Sequence, residues 1–72
     1  MSTNVSIHIV VNGEPQVTNS GQTVLGLLRE LQLDPQRVAV ELDLRIVKQP
    51  LWSDTILRDG AKLEIVQFVG GG

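Results

Sequence analysis

The sequence predicts an α+β domain, a mixed sheet of about five strands with one main helix packed across it. Three observations lead there. Alternating apolar positions recur near both ends of the chain, in "VSIHIVVNGEPQV" and "KLEIVQFV". Between them, the leucines of "TVLGLLREL" follow a helical period. Finally, 72 residues that are 42% hydrophobic and contain no cysteine must be held by the packing of one small core, since a chain this short hides only roughly 60% of its unfolded surface.

The elements follow in order. Val5, Ile7, Ile9 and Val11 alternate with Ser6, His8 and Val10, the period-two pattern of a strand rich in β-branched residues. Asn12-Gly13 then marks a hairpin, because both residues tolerate positive φ. A second strand is expected from about Pro15 to Thr18, at a sheet edge, since Pro15 has no N–H for a ladder. Val24, Leu27, Leu28 and Leu31 are spaced i, i+3, i+4, i+7 along one helix face, with Thr23 as N-cap. Gly26 costs this helix about 1 kcal/mol relative to alanine, and Asp34-Pro35 is expected to end it. In "RVAVELDLRIVKQ", Val38, Val40 and Leu42 form an alternating set that Leu44 and Ile46 continue, with a bend near Asp43. A short irregular stretch around Trp52, a turn at Asp59-Gly60 and a last strand over Lys62 to Val69 complete the chain.

The resulting order is β-β-α-β-β-turn-β. The first and last strands both need burial and a single helix must cover one sheet face. The compact solution sets the two end strands side by side in parallel, which is the β-grasp arrangement. Residues 1–69 form the domain and Gly70, Gly71 and Gly72 a flexible tail.

A net charge of −2 argues against a nucleic-acid binder, which wants a basic stripe. No apolar run approaches the ~20 residues that cross a bilayer, and Met1-Ser2-Thr3-Asn4 is not the charged start of a signal peptide. The expectation is a cytoplasmic monomer without nucleic-acid or membrane partners. His8 is the one histidine, and without cysteine it cannot anchor a typical zinc site. No nucleophile-elbow pattern accompanies the serines. Glu41, Asp43, Asp54, Asp59 and Glu64 are scattered over strands and turns, where a solvated surface is the expected role. Trp52 reads as an anchor for the long connection. No catalytic residue and no bound metal or cofactor is expected within the domain.

The end of the chain is different. Glycine at position 72 offers an α-carboxylate with no side chain beside it, and Gly70 and Gly71 allow it to thread a groove where a Cβ would clash. A phosphate-binding loop would need a helix start directly after the glycines. A free carboxylate is a poor acyl donor. Joined to AMP it becomes a mixed anhydride that a sulfur nucleophile can open, and with no cysteine in the chain the sulfur must come from outside.

The motifs "IVVNGEP", "TVLGLLREL", "RVAVEL" and "DGAKLEIVQFVGGG" together resemble, in order and over nearly the whole chain, the ThiS-type sulfur carriers of thiamine biosynthesis. The resemblance implies a ubiquitin-like β-grasp fold and a carrier in place of an enzyme. It implies that Gly72 is adenylated and converted to a terminal thiocarboxylate (1-thioglycine), with Gly70 and Gly71 threading the tail. The implied partners are an ATP-dependent adenylating enzyme of the ubiquitin-activating type, a thiazole synthase that receives the sulfur, and a sulfur donor such as a cysteine desulfurase system. The family commonly places an Asn-Gly-type turn after "VAVEL", whereas this chain has Asp43-Leu44, which suggests a different hairpin geometry or a bulge.

On the last strand Leu63 and Ile65 are expected to face the helix and Glu64 and Val66 to face away. Val66, Phe68 and Val69, with the tail, are the expected partner contact; for Val66 and Phe68 the alternative is packing against a neighbouring strand. Three other functions fit the pattern. The small subunit of molybdopterin synthase shares the fold and terminal glycines, a ubiquitin-like modifier would form an isopeptide bond, and a plain interaction module would carry the glycines as a frayed end.

Overall fold

A computed structural model of the chain describes residues 5–69. Its five strands are β1 (Ser6–Val11), β2 (Glu14–Asn19), β3 (Val38–Leu42), β4 (Arg45–Val47) and β5 (Lys62–Gln67). They form one sheet in the order β2-β1-β5-β3-β4, crossed by a single helix, α1 (Val24–Glu30). β1 and β5 are parallel and every other pairing is antiparallel. This is the expected β-grasp topology, with β2 and its Pro15 on an edge.

Alternation decides what the sheet buries. Ile7, Ile9 and Val11 of β1, Val38 and Val40 of β3, and Leu63 and Ile65 of β5 turn one way and are buried. They meet Val24, Leu27 and Leu28 of α1, with Trp52, Leu57 and Ala61 closing the core. Thr23 caps α1 as expected, its Oγ1 accepting from Gly26 N at 3.0 Å. Gly26, costly to the helix, has a reason to lack a side chain, since a Cβ there would run into the Gln22 carboxamide. That carboxamide accepts from Thr23 N and donates to the buried Thr18 hydroxyl, which in turn donates to Glu30. The polar link from β2 to both ends of α1 therefore needs the space at position 26. Trp52 is the anchor expected of it, 3% exposed, with its indole N–H donating 2.7 Å to Val47 O.

Three expectations are corrected. The helix does not run to Asp34-Pro35. Gln32 adopts φ 61°, and Leu33 N and Gln32 N donate back to Leu28 O and Arg29 O, the paired bonds of a Schellman C-cap. Asp34 instead caps the 3₁₀ turn Pro35–Arg37 through Gln36 N. Second, Leu44 and Ile46 do not continue the core-facing set of β3. Asp43 and Leu44 form a two-residue turn, and β4 returns with Val40 opposite Val47 and Glu41 opposite Ile46. Residues directly opposite share a face, so Val47 turns inward and Ile46 outward. Third, β5 ends at Gln67 and not Val69: its ladder with β3 stops at the Val38–Gln67 pair, and only Phe68 N reaches past it, to Arg37 O.

The hairpin at Asp43-Leu44 is neither bulged nor of another geometry. Both residues have positive φ, 49° and 71°, as do Asn12 and Gly13 at 51° and 83°. A two-residue connection between twisted antiparallel strands demands that backbone whatever residues fill it.

Candidate functional site

The sheet has one covered face and one open face, and β5 lies in its middle. β5 is held on one side by β1 and on the other by β3. The strand that leads to the terminal glycines is therefore an interior strand, paired along both edges. Two contacts extend that grip beyond the regular ladders. Where β1 turns away, the Asn12 carboxamide takes the place of a further rung, accepting from Ile65 N at 2.7 Å and donating to Ile65 O at 3.1 Å. At the other end, Phe68 N donates 2.6 Å to Arg37 O, just before β3. The sequence marked Asn12 only as a turn residue. Its clamp on β5 needs the parallel β1–β5 pairing, which no local pattern reveals.

The open face carries the expected partner contact. Val66 is 57% exposed and Phe68 54%, so neither is buried against a neighbouring strand, and Val69 is 95% exposed. Gly70, Gly71 and Gly72 lie outside the described residues. The sequence reading missed Ile46, 77% exposed, which the β3–β4 register puts on the open face with Glu41. Ala39 is paired with Val66 and joins the same apolar area. A shallow concavity lined by Ala39, Val40, Glu41, Ile46, Glu64 and Val66 runs along this face. A second, lined by Glu41, Asp43, Leu44, Lys62 and Glu64, continues it to the β3–β4 turn. The signal that could have located Ile46 was the hairpin itself: once Asp43-Leu44 is a two-residue turn, the phase of β4 follows.

Other candidate chemistry is dispersed. His8 and Asp59 approach to 3.9 Å with both side chains exposed, and Asp59 Oδ1 also accepts from His8 N at 2.8 Å. This closes the Asp59-Gly60 turn onto β1. Among the described residues, no three His, Asp or Glu side chains are grouped to hold a metal ion, and no helix is long and apolar enough to cross a membrane. The carboxylates sit at the surface. The chemical resource of the domain is a rigid strand with an apolar open face beside its exit.

That combination defines a small β-grasp domain whose last strand leads straight to the terminal glycines. Comparison with known proteins agrees: the ThiS family model matches residues 8–72, and the chain belongs to the ThiS family. A stretch of the thiazole synthase of Paramagnetospirillum magneticum is 45% identical over 64 residues, covering 89% of this chain, and the chain spans only 20% of that protein. The sulfur carrier protein ThiS of Escherichia coli K12 is 29% identical over 92% of this chain and its own full length. The crystal structure of the thiamine biosynthesis protein ThiS from Geobacter metallireducens superposes with a TM-score of 0.79 at 29% identity, covering 92% of this chain and all of that one. The chain thus has the fold of that structure, the ubiquitin-like β-grasp, together with membership of the ThiS family.

Proposed function

We propose that this protein is a sulfur carrier of thiamine biosynthesis that works through the α-carboxylate of Gly72, in two transfers performed by other proteins. In the first, a carboxylate oxygen attacks the α-phosphorus of ATP, pyrophosphate leaves, and the terminus becomes an acyl adenylate. In the second, a sulfide equivalent attacks the acyl carbon and AMP departs, leaving a thiocarboxylate. One C–O bond is exchanged for one C–S bond, no redox change occurs at carbon, and ATP supplies the driving force. The thiocarboxylate sulfur is then the nucleophile delivered within thiazole synthase. The adenylating enzyme is of the ubiquitin-activating type, and the sulfur comes from a donor such as a cysteine desulfurase system, whose persulfide sulfur is brought to the sulfide level by a thiol reductant that is oxidised to a disulfide; the exchange takes place in the cytoplasm.

The observation that carries this reading is the placement of β5. It is clamped on both sides at the centre of the sheet, its last described residues are exposed, and the family match extends through Gly72. A narrow active site can admit glycines where any Cβ would collide, and Gly70 and Gly71 are suited to that passage. Val66, Phe68 and Val69 form an exposed apolar area next to the exit, of the kind that marks a partner site. The chain itself contributes binding and presentation, and its partners contribute the catalysis.

The test is intact mass after incubation with the activating enzyme, ATP and sulfide. The expected product is heavier by one oxygen-for-sulfur exchange, and deletion of Gly72 abolishes it. An unchanged mass, under conditions that convert the Escherichia coli carrier, would refute the proposal.

A further inference from the structure

Two features of the β3–β5 region oppose folding and are unexplained by anything inside the domain. The first is Leu44. It occupies the second turn position at φ 71° and is 89% exposed. Positive φ at both central positions favours Asn, Asp and Gly, and a leucine side chain is strained there. Asp43, its neighbour, has an internal reason for its identity: its N–H donates 2.8 Å to Lys62 O and its Oδ1 accepts from Lys62 N at 3.0 Å. Those two bonds lengthen the β3–β5 ladder by one step. Leu44 makes no such contact and leaves an apolar side chain in water.

The second feature is the pair Glu41 and Glu64. They stand directly opposite each other across β3 and β5, where like charges repel. Neither is ion-paired with a cation among the described residues. Both line the concavity that holds Leu44 and the one that holds Ile46 and Val66. The open face therefore forms one continuous groove from the hairpin tip toward the end of β5: Leu44 stands beside Asp43 and Lys62 at the tip, Glu41 and Glu64 lie in the middle, and Ala39, Ile46 and Val66 line the other end.

We propose that this groove docks thiazole synthase through a basic side chain flanked by apolar ones, and that Leu44 is a specificity-determining anchor of that contact. The inference rests on the carrier function proposed above. The charge pattern fixes the chemistry of the occupant: a Lys or Arg between Glu41 and Glu64 removes their repulsion, and apolar neighbours cover Leu44 on one side and Ile46 and Val66 on the other. Thiazole synthase is the partner to which we assign it because two thiazole synthases themselves contain a stretch similar to this chain, at 45% and 37% identity. Both strained features then stabilise the complex at the expense of the free domain.

The claim is tested by measuring stability and binding on the same variants, because the two should move in opposite directions. Leu44→Gly and Leu44→Asn remove the anchor and suit the turn, so each should melt at or above the temperature of the unmodified chain. Titration calorimetry against the thiazole synthase of the same genome should show binding weakened by about tenfold, the loss of one interface anchor. Glu64→Gln should likewise raise the melting temperature and weaken binding. Binding by the Leu44 variants within about twofold of the unmodified chain overturns the anchor. A Leu44→Gly domain that melts lower overturns the strain on which the argument stands. If the unmodified chain fails to bind, the carrier reading falls and this inference with it. Binding of the unmodified chain with no effect of either substitution refutes the inference alone.

Discussion

Asn12 offers the sharpest test of how the fold prepares its end. Its carboxamide makes two hydrogen bonds to the main chain of Ile65, at 2.7 and 3.1 Å, across 53 residues of sequence. Each such bond contributes about 1 kcal/mol net. The residue also sits at φ 51°, where an alanine is penalised by about 1 kcal/mol and a glycine is not. Replacing Asn12 by glycine keeps the turn and deletes the clamp, so it should cost about 2 kcal/mol. Replacement by alanine should cost about 3 kcal/mol, since it adds the backbone penalty. Aspartate retains the acceptor for Ile65 N–H but sets a carboxylate oxygen against Ile65 O, and should fall between the unmodified chain and glycine. For a domain of this size 1 kcal/mol corresponds to roughly 4–8 °C in melting temperature, so Asn12→Gly should melt about 8–16 °C lower. Thermal and urea unfolding followed by circular dichroism would measure this series. A loss under about 0.5 kcal/mol for glycine, no larger than an ordinary surface substitution, would show that the clamp contributes nothing and refute the account of how β5 is fixed.

Two further outcomes are expected. Trp52→Phe keeps most of the core volume but deletes the indole N–H that donates to Val47 O at 2.7 Å. It should cost about 1–2 kcal/mol in urea unfolding, and an unchanged midpoint would show that the bond does not matter. Phe68→Ala removes an exposed ring, so stability should stay within about 0.5 kcal/mol while binding to the activating enzyme and to thiazole synthase both weaken. Unaltered affinity for both enzymes would exclude Phe68 from the contact.

Much of the architecture is legible in the sequence because it is written in short-range patterns. The period-two positions of β1 and β5 predict which side chains are buried, since adjacent strand residues point to opposite faces. Asn12-Gly13 predicts its turn, and Thr23 its cap, because each depends on the conformational preference of one or two residues. The terminal glycines, in a chain with no histidine pair and no cysteine, are what the proposed carboxylate chemistry starts from, and the family match extends to them.

The misreadings share a different cause. Asp43-Leu44 lacks the Asn-Gly or Asp-Gly signature, and Leu44 in particular opposes the positive φ that β3 and β4 impose on it. That error shifted the phase of β4 and hid Ile46 from the partner surface. Gln32 ended the helix early for the same reason: the chain had to turn toward the start of β3, and the Schellman bonds satisfied the carbonyls of the last turn. Only the tertiary structure could place Glu41 opposite Glu64, bring Leu44 into one groove with Val66, or show that Asn12 holds Ile65. The sequence alone determined the elements, the core-facing residues of β1, α1 and β5, and the chemical character of the tail. The pairing of strands distant in the chain decided how that tail is mounted and which side chains surround its exit, because those contacts join residues whose local patterns carry no information about each other.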